Sequence, residues 1–349
     1  MNTPSAEFQL RFLDYLQRIF DEGEFTATYK FALLMALADL SVERGDDSDT
    51  ELTLTSQEIA RKFIGYYDRQ ARPFPATGGG DEPIVLHQNT GKQARIVNIV
   101  REAQAEYVFK VKRAGMRLRS DNRLVADVAR TVRDQPLWRL QVLGRDADGF
   151  FYPNIGTGHE ITLRPGVAYC FRRFHGFVHG LAQNRWVAFI RERRQNLDVL
   201  GETVDLGAFL FGSERAVLSA YRTMLVDIQS KCCFYCNEDL KTSEVDHFIP
   251  WSRYGTDLGH NFVLACRRCN HDKRDMLADV RHLEHWVRRN EDHGAAMNGY
   301  FEEQQLVHDL PGSVMITKWS YQQAENVGAH VWRRGSDTAG LRGSWRRFI

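Results

Sequence analysis

Cys233-Phe-Tyr-Cys236 and Cys266-Arg-Arg-Cys269 are two Cys-x-x-Cys knuckles 30 positions apart, and they constrain the fold of this chain more than any other feature. Four soft thiolates at this spacing can close a tetrahedron around Zn²⁺ with no coordination position left open, which is the pattern of a structural site. Cys232 could replace Cys233 by a one-residue shift, but the two-residue spacing favours Cys233. Cys170 stands alone and reads as a small buried hydrophobe. Cysteines clustered in this way suit metal ligation in a reducing compartment rather than a disulfide framework. The amino terminus has no basic flank followed by an apolar core, and the longest apolar run, FALLMALA, is far too short to span a bilayer. A cytoplasmic protein with no membrane contact is therefore expected.

A chain of 349 residues leaves room for two or three domains. Its net charge of +1 hides an uneven distribution, with four Lys/Arg against twelve Asp/Glu in residues 1–60 and eleven against four between Lys92 and Arg133. Such asymmetry points to one face that meets a polyanion. Phe8, Phe12, Leu13, Leu16, Ile19 and Phe20 recur with a helical period, Tyr29 to Leu40 reads as a more buried helix, and Thr55 and Glu58 have the spacing of a capping box that opens a third. Residues 1–70 are thus expected to be helical and compatible with a helix-turn-helix module.

Residues 71–210 read as a basic α/β region. RPFPATGGGDEP is a loop, Lys92 to Arg133 is a long basic helical stretch, and LWRLQVLG, FFYPNI, GVAYCFRRF and RWVAFI are short aromatic runs expected to form a small sheet. Arg164, Arg172, Arg173, Arg185, Arg191, Arg193 and Arg194 lie among Phe171, Phe174, Phe177 and Trp186. That mixture suits phosphate contacts with base stacking, and equally suits core aromatics with arginines in water. His175 and His179 can share a helical face, but with no acidic partner near them in the sequence they read as structural. Ser213 to Ser230 is an amphipathic helix leading into the first knuckle, and a further helix runs from Asp275 to about Asn290.

A zinc site alone leaves the intervening residues unexplained. Phosphodiester hydrolysis needs a proton acceptor for water and a cation for the charge that develops on the phosphoryl oxygens. Asp246 and His247 are adjacent, so in a regular strand they point to opposite sides. Pro250 and the glycines of RYGTDLGHN make a bend plausible there. The order Asp-His, Asn, Cys-x-x-Cys-Asn resembles the HNH endonuclease family, a ββα-metal fold, in the subtype pinned by four cysteines, over about Cys233 to Asp279. The resemblance implies that His247 is the general base, that Asp246 and Asn270 are ligands of a catalytic metal, and that Asn261 braces the loop. Imidazole accepts protons near neutral pH, and oxygen donors suit Mg²⁺ or Mn²⁺. His271 in place of Asn270 would shift the preference toward a transition ion such as Ni²⁺. Arg267, Arg268 and Lys273 are candidate phosphate contacts.

The sequence therefore reads as α+β: a mixed helical and small-sheet amino-terminal region, a zinc-stabilised ββα-metal nuclease domain at 211–290, and a helical extension at 291–349 packing on it. The expected function is metal-dependent cleavage of DNA, duplex first and RNA not excluded, in restriction or phage defence. Two other readings stay open: a zinc-containing nucleic-acid-binding protein without catalysis, and a nuclease controlled by a protein partner or a homodimer. In the last, the acidic first 60 residues would shield the basic surface.

Overall fold

The computed structural model describes residues 3–74, 84–110, 118–144, 146–147, 149–197, 199–200, 205–212 and 218–349. Most of the Pro/Gly-rich loop, Lys112, Arg113 and Arg117 of the basic stretch, and the start of the Ser213–Ser230 helix lie outside the described residues. The chain divides into two units, Met1–Gly212 and Ser213–Ile349, and its fold is α+β.

In the first unit the helices α1 (Ala6–Glu22), α2 (Tyr29–Arg44) and α3 (Ser56–Gln70) begin at the expected places. The Ser5 hydroxyl accepts from the Phe8 N–H to cap α1, and Thr55 and Glu58 form the capping box of α3. α2 carries Ala and Leu on nearly every face and is buried almost throughout, so it forms the centre against which its neighbours pack. Strand β1 (Leu52–Thr55) lies between α2 and α3. There follow α4 (Arg95–Lys110), α5 (Asn122–Asp134), α6 (Pro136–Arg139), a minimal hairpin of β2 (Val142–Leu143) and β3 (Asp146–Ala147), and β4 (Glu160–Leu163). β4 pairs antiparallel with β1, from Leu52↔Leu163 to Thr55↔Glu160. Helices α7 (Val167–Arg173), α8 (His175–Arg191), α9 (Arg194–Leu197) and α10 (Leu206–Phe211) complete the unit among the described residues.

One expectation is corrected here, and an open one is decided. GVAYCFRRF and RWVAFI are not strands but lie in α7 and α8. Val178, Ala182, Trp186, Phe189 and Ile190 are buried at helical spacing, and this periodicity outweighs the local preference of aromatic residues for strands. The aromatics among the arginines are mainly core: Phe171 and Trp186 are fully buried, Trp186 donating to Gln88 Oε1 at 2.7 Å. Arg172 is buried too, donating to the carbonyls of Ser41, Val42 and Gly45 at 2.8–3.1 Å, where it caps the C-terminus of α2. In the segment compatible with a helix-turn-helix module, α3 fully exposes only Gln57 and Arg61.

The second unit contains α11 (Arg222–Ile228), β5 (Glu244–His247), β6 (Phe262–Ala265), α12 (Arg267–Lys273), α13 (Val280–Gln304), α14 (Leu310–Asn326) and a hairpin of β7 (His330–Arg334) with β8 (Asp337–Gly340). The boundary placed at residue 290 falls inside α13, which continues for lack of a breaker; of the later glycines, Gly294 is buried and a Cβ there would meet Leu310 Cδ2 at 2.9 Å. The extension is more than helical, because β7 closes on the segment after α12: the Asp279 N–H donates to Trp332 O at 2.7 Å and the Trp332 N–H to Leu277 O at 2.8 Å. Trp319, Trp332 and Trp345 are buried and anchor it. Among the described residues no helix is long and apolar enough to cross a membrane.

Candidate functional site

The four sulfurs that converge are those of Cys233, Cys236, Cys266 and Cys269, all within 4.8 Å of one another. Cys236 Sγ and Cys266 Sγ are 4.0 Å apart, close to the edge of about 3.8 Å expected for a tetrahedron with Zn–S bonds near 2.3 Å. Backbone N–H groups already point at the sulfurs: Cys266 N–H at Cys233 Sγ (3.3 Å) and Cys269 N–H at Cys266 Sγ (3.4 Å). Burial pushes the Cys233 thiol up, but the N–H groups of Cys236, Cys266 and Tyr235 outweigh it and bring it below its usual value. Burial raises Cys236 to about 11 and Cys269 further. Four thiolates in one pocket need a compensating cation, and this donor set fits zinc. Cys232 stands outside the group, its sulfur 3.6 Å from Ser230 O and from Asp239 Oδ1.

The knuckles hold a ββα element together. The Phe234 N–H donates to Leu264 O at 2.9 Å, joining the first knuckle to β6, and Cys266 is the N-cap of α12. β5 and β6 pair in register, Asp246↔Val263 and His247↔Phe262. Glu244 and Asp246 therefore share one face of β5, and Val245 and His247 the other. The Glu244 and Asp246 face is the one α12 covers.

On that face, Asp246 Oδ2 accepts from the Tyr235 hydroxyl at 2.6 Å and lies 3.0 Å from Lys273 Nζ. Both contacts fall on Oδ2. The Asn270 amide nitrogen donates to Glu244 Oε2 at 2.7 Å, which directs its oxygen elsewhere. Asp246 Oδ1 and the Asn270 amide oxygen thus remain as hard donors of the kind a Mg²⁺ or Mn²⁺ site uses. Lys273 is corrected: it is fully buried, also donating to the His247 carbonyl at 2.9 Å, and so cannot reach a phosphate from this position. Arg267 and Arg268 are exposed on the first turn of α12, and His271 is exposed as well.

His247 ends β5. Its ring sits beside Phe262 (centroids 4.9 Å apart) and Trp251 (5.6 Å), and its Nε2 is 2.7 Å from Asp257 Oδ1. Sequence reasoning missed Asp257; the signal for it was that no other acid lies between His247 and Asn261. Asn261 pins the chain leaving His247, its Oδ1 accepting from the Ile249 N–H (2.8 Å), its Nδ2 donating to Ile249 O (3.0 Å) and its carbonyl accepting from the Phe248 N–H (2.8 Å). Buried Arg289 supports the same corner, with its guanidinium 2.6 Å from the carbonyls of both His260 and Phe262.

Residues 233–276 match the family model described as HNH endonuclease, so the second unit carries an HNH endonuclease domain. Neither curated proteins nor solved structures give a match to the chain.

Proposed function

We propose that the chain, through the HNH endonuclease domain it carries, hydrolyses phosphodiester bonds of DNA with a divalent metal. The observation that supports this most is the His247–Asp257 contact of 2.7 Å. A carboxylate on Nε2 fixes the tautomer with the proton on that nitrogen and leaves the lone pair on Nδ1. Nδ1 then accepts the proton of the water that attacks phosphorus. Asp257 stabilises the imidazolium that results, as the acid partner of a catalytic histidine does. Asn261 holds the loop after His247 so that the ring keeps its place. Asp246 Oδ1 and the Asn270 amide oxygen are the groups that would hold Mg²⁺ or Mn²⁺, which when bound neutralises charge on the phosphoryl oxygens. Arg267 and Arg268 contact neighbouring phosphates, and the four cysteines hold structural zinc.

The role assigned is cleavage of foreign DNA in restriction or phage defence, with the first unit as the recognition or regulatory part. One such site makes a nick, and a double-strand break needs a second copy or a second encounter. Many of the acids in residues 1–60 are engaged within their own unit, Asp21 with Arg185, Glu43 with Lys62 and Asp47 with Arg172 among them, which weighs against shielding.

Wild-type protein should relax or linearise supercoiled plasmid in Mg²⁺ or Mn²⁺, and His247→Ala should not, while keeping its zinc and its fold. A second reading, a zinc-containing binder of nucleic acid, draws on the engagement of Asp246 by Lys273 and Tyr235 across the pleat from His247. Binding without cutting in Mg²⁺, Mn²⁺ and Ni²⁺ alike would select it.

A further inference from the structure

The first unit holds a cluster of ligand-type atoms that the nuclease chemistry does not use. Asp39 lies in the middle of α2, a helix otherwise almost wholly buried, and is 2% exposed. An acid placed there carries a heavy desolvation cost unless its charge is met. His175 and His179 project from one face of α8, their rings stacked with centroids 4.3 Å apart. Both Nε2 atoms lie 2.8 Å from the same oxygen, Asp39 Oδ1. The acid that the sequence around the two histidines lacked is thus supplied from more than a hundred positions away.

The two contacts differ in kind. His175 Nε2 is aligned with Asp39 Oδ1 as a hydrogen bond, whereas His179 Nε2 is buried and equally close but out of hydrogen-bonding alignment. A purely structural Asp–His pair needs one imidazole. Two nitrogens converging on one oxygen, one of them misaligned with it, is what groups aimed at a shared point produce. Asp39 Oδ2 is held from behind by the Tyr66 hydroxyl at 2.7 Å, with Lys62 Nζ at 3.9 Å; Lys62 is itself taken by Glu43 at 2.5 Å. Around that shared point stand two carboxylates, Asp39 and Glu43, and one ammonium, Lys62.

We propose that Asp39, His175 and His179 are the three protein ligands of a divalent first-row transition cation in the first unit, with its remaining coordination positions open. All three donor atoms lie within 4.8 Å of one another. Tetrahedral bonds of about 2.0–2.2 Å place such donors about 3.3–3.6 Å apart, so the 2.8 Å separations need to widen by about 0.5–0.8 Å to admit the ion. Two imidazoles with one carboxylate select zinc, iron, cobalt, nickel or manganese over calcium or magnesium. Tyr66 fixes the carboxylate as an outer partner. Access runs past His179, 18% exposed, and past Gly176 and Gly180, where an added Cβ would meet nothing within 4 Å. Gly180 lies inside α8, where glycine costs about 1 kcal/mol relative to alanine, and no close approach explains it; with Gly176 in the first turn it keeps the surface beside both imidazoles clear.

The test uses the full-length protein, equilibrated with Zn²⁺, freed of excess ion by gel filtration and assayed for zinc by mass spectrometry. Wild type should carry one equivalent more than His179→Gln and one more than Asp39→Asn, while the equivalent at the four cysteines persists in all three. Equal zinc in wild type and a folded His179→Gln would overturn the proposal. If neither variant folds, zinc-edge anomalous diffraction from wild-type crystals decides: a peak among Asp39, His175 and His179 upholds the site, and its absence at saturating zinc overturns it.

Discussion

Lys273→Met removes a fully buried ammonium but keeps the length and most of the apolar stem of the side chain. Asp246 Oδ2 loses a partner at 3.0 Å and the His247 carbonyl one at 2.9 Å, leaving the carboxylate with the Tyr235 hydroxyl alone. Taking one member from a buried ion pair costs about 3–5 kcal/mol, because the other charge stays behind without compensation. Packing of the methionine offsets little of this, since the cost is electrostatic. Asp246→Asn in the same chain removes the stranded charge, so the double variant should be more stable than Lys273→Met alone, with a coupling of about 1–3 kcal/mol. Urea unfolding followed by tryptophan fluorescence reads the right unit, because Trp251, Trp286, Trp319, Trp332 and Trp345 all lie in Ser213–Ile349 and only Trp138 and Trp186 lie elsewhere. The reasoning fails if Lys273→Met unfolds within about 0.5 kcal/mol of wild type, the range of ordinary surface substitutions, or if the two substitutions simply add.

Asp257→Asn should keep the fold and lower kcat for plasmid nicking about 10- to 100-fold, the worth of a hydrogen bond to a charged group at 1.5–3 kcal/mol; unchanged kcat would remove Asp257 from the catalytic unit. Stripping zinc with a strong chelator, or Cys269→Ser, should abolish amide hydrogen-exchange protection in 244–273, since α12 has its N-cap on Cys266 and structural zinc supplies folding energy directly; protection that survives loss of the metal would refute this. His260 is fully buried, and burial, followed by the charge of Arg289, lowers its pKa from 6.5 to about 3. The unfolded chain therefore binds the extra proton, and stability is lost as pH falls from 6.5 toward 3, by about 1.4 kcal/mol per pH unit for this one group. His260→Gln should flatten the pH dependence of the urea unfolding free energy between pH 6.5 and 5 by about that amount, and an identical slope in the two proteins would contradict it.

What could be read from the sequence was whatever sits close together along it. The knuckles, the Asp246-His247 pair, Asn261 and Asn270 occupy under forty consecutive positions, and local spacing decides their chemistry. The capping box at Thr55 was legible for the same reason. Asp257 was missed because its role depends on how a long loop folds back to His247 Nε2, which spacing does not encode. Lys273 was misassigned because a helix of seven residues has an inner and an outer face, and position along it says nothing of which one β5 covers. The Asp39 cluster was invisible because its acid and its imidazoles come from helices far apart in the chain. In α7 and α8 the aromatic content favours strands locally, and the helical period of Val178, Ala182 and Trp186 overrides it.

The same charges that hold β5 to α12 bear on how the proposed nuclease would take its metal. Asp246 and Glu244 supply two negative charges on the face under α12 and Lys273 supplies one positive charge, a local sum of minus one. A divalent cation raises that sum to plus one, and a bound phosphodiester brings it back to zero. Neither ligand alone reaches balance, so each should raise the affinity of the other by the same factor, as linkage requires. Mn²⁺ affinity should therefore be weak in the free protein and at least about 5-fold tighter with a non-cleavable phosphorothioate duplex, the lower end of ordinary coupling energies. Glu244→Gln removes one negative charge while leaving an amide oxygen that can still accept from the Asn270 amide. That variant should weaken Mn²⁺ binding both in the free protein and on the duplex; equal Mn²⁺ affinity with and without DNA in wild type would show that the two ligands do not share this face.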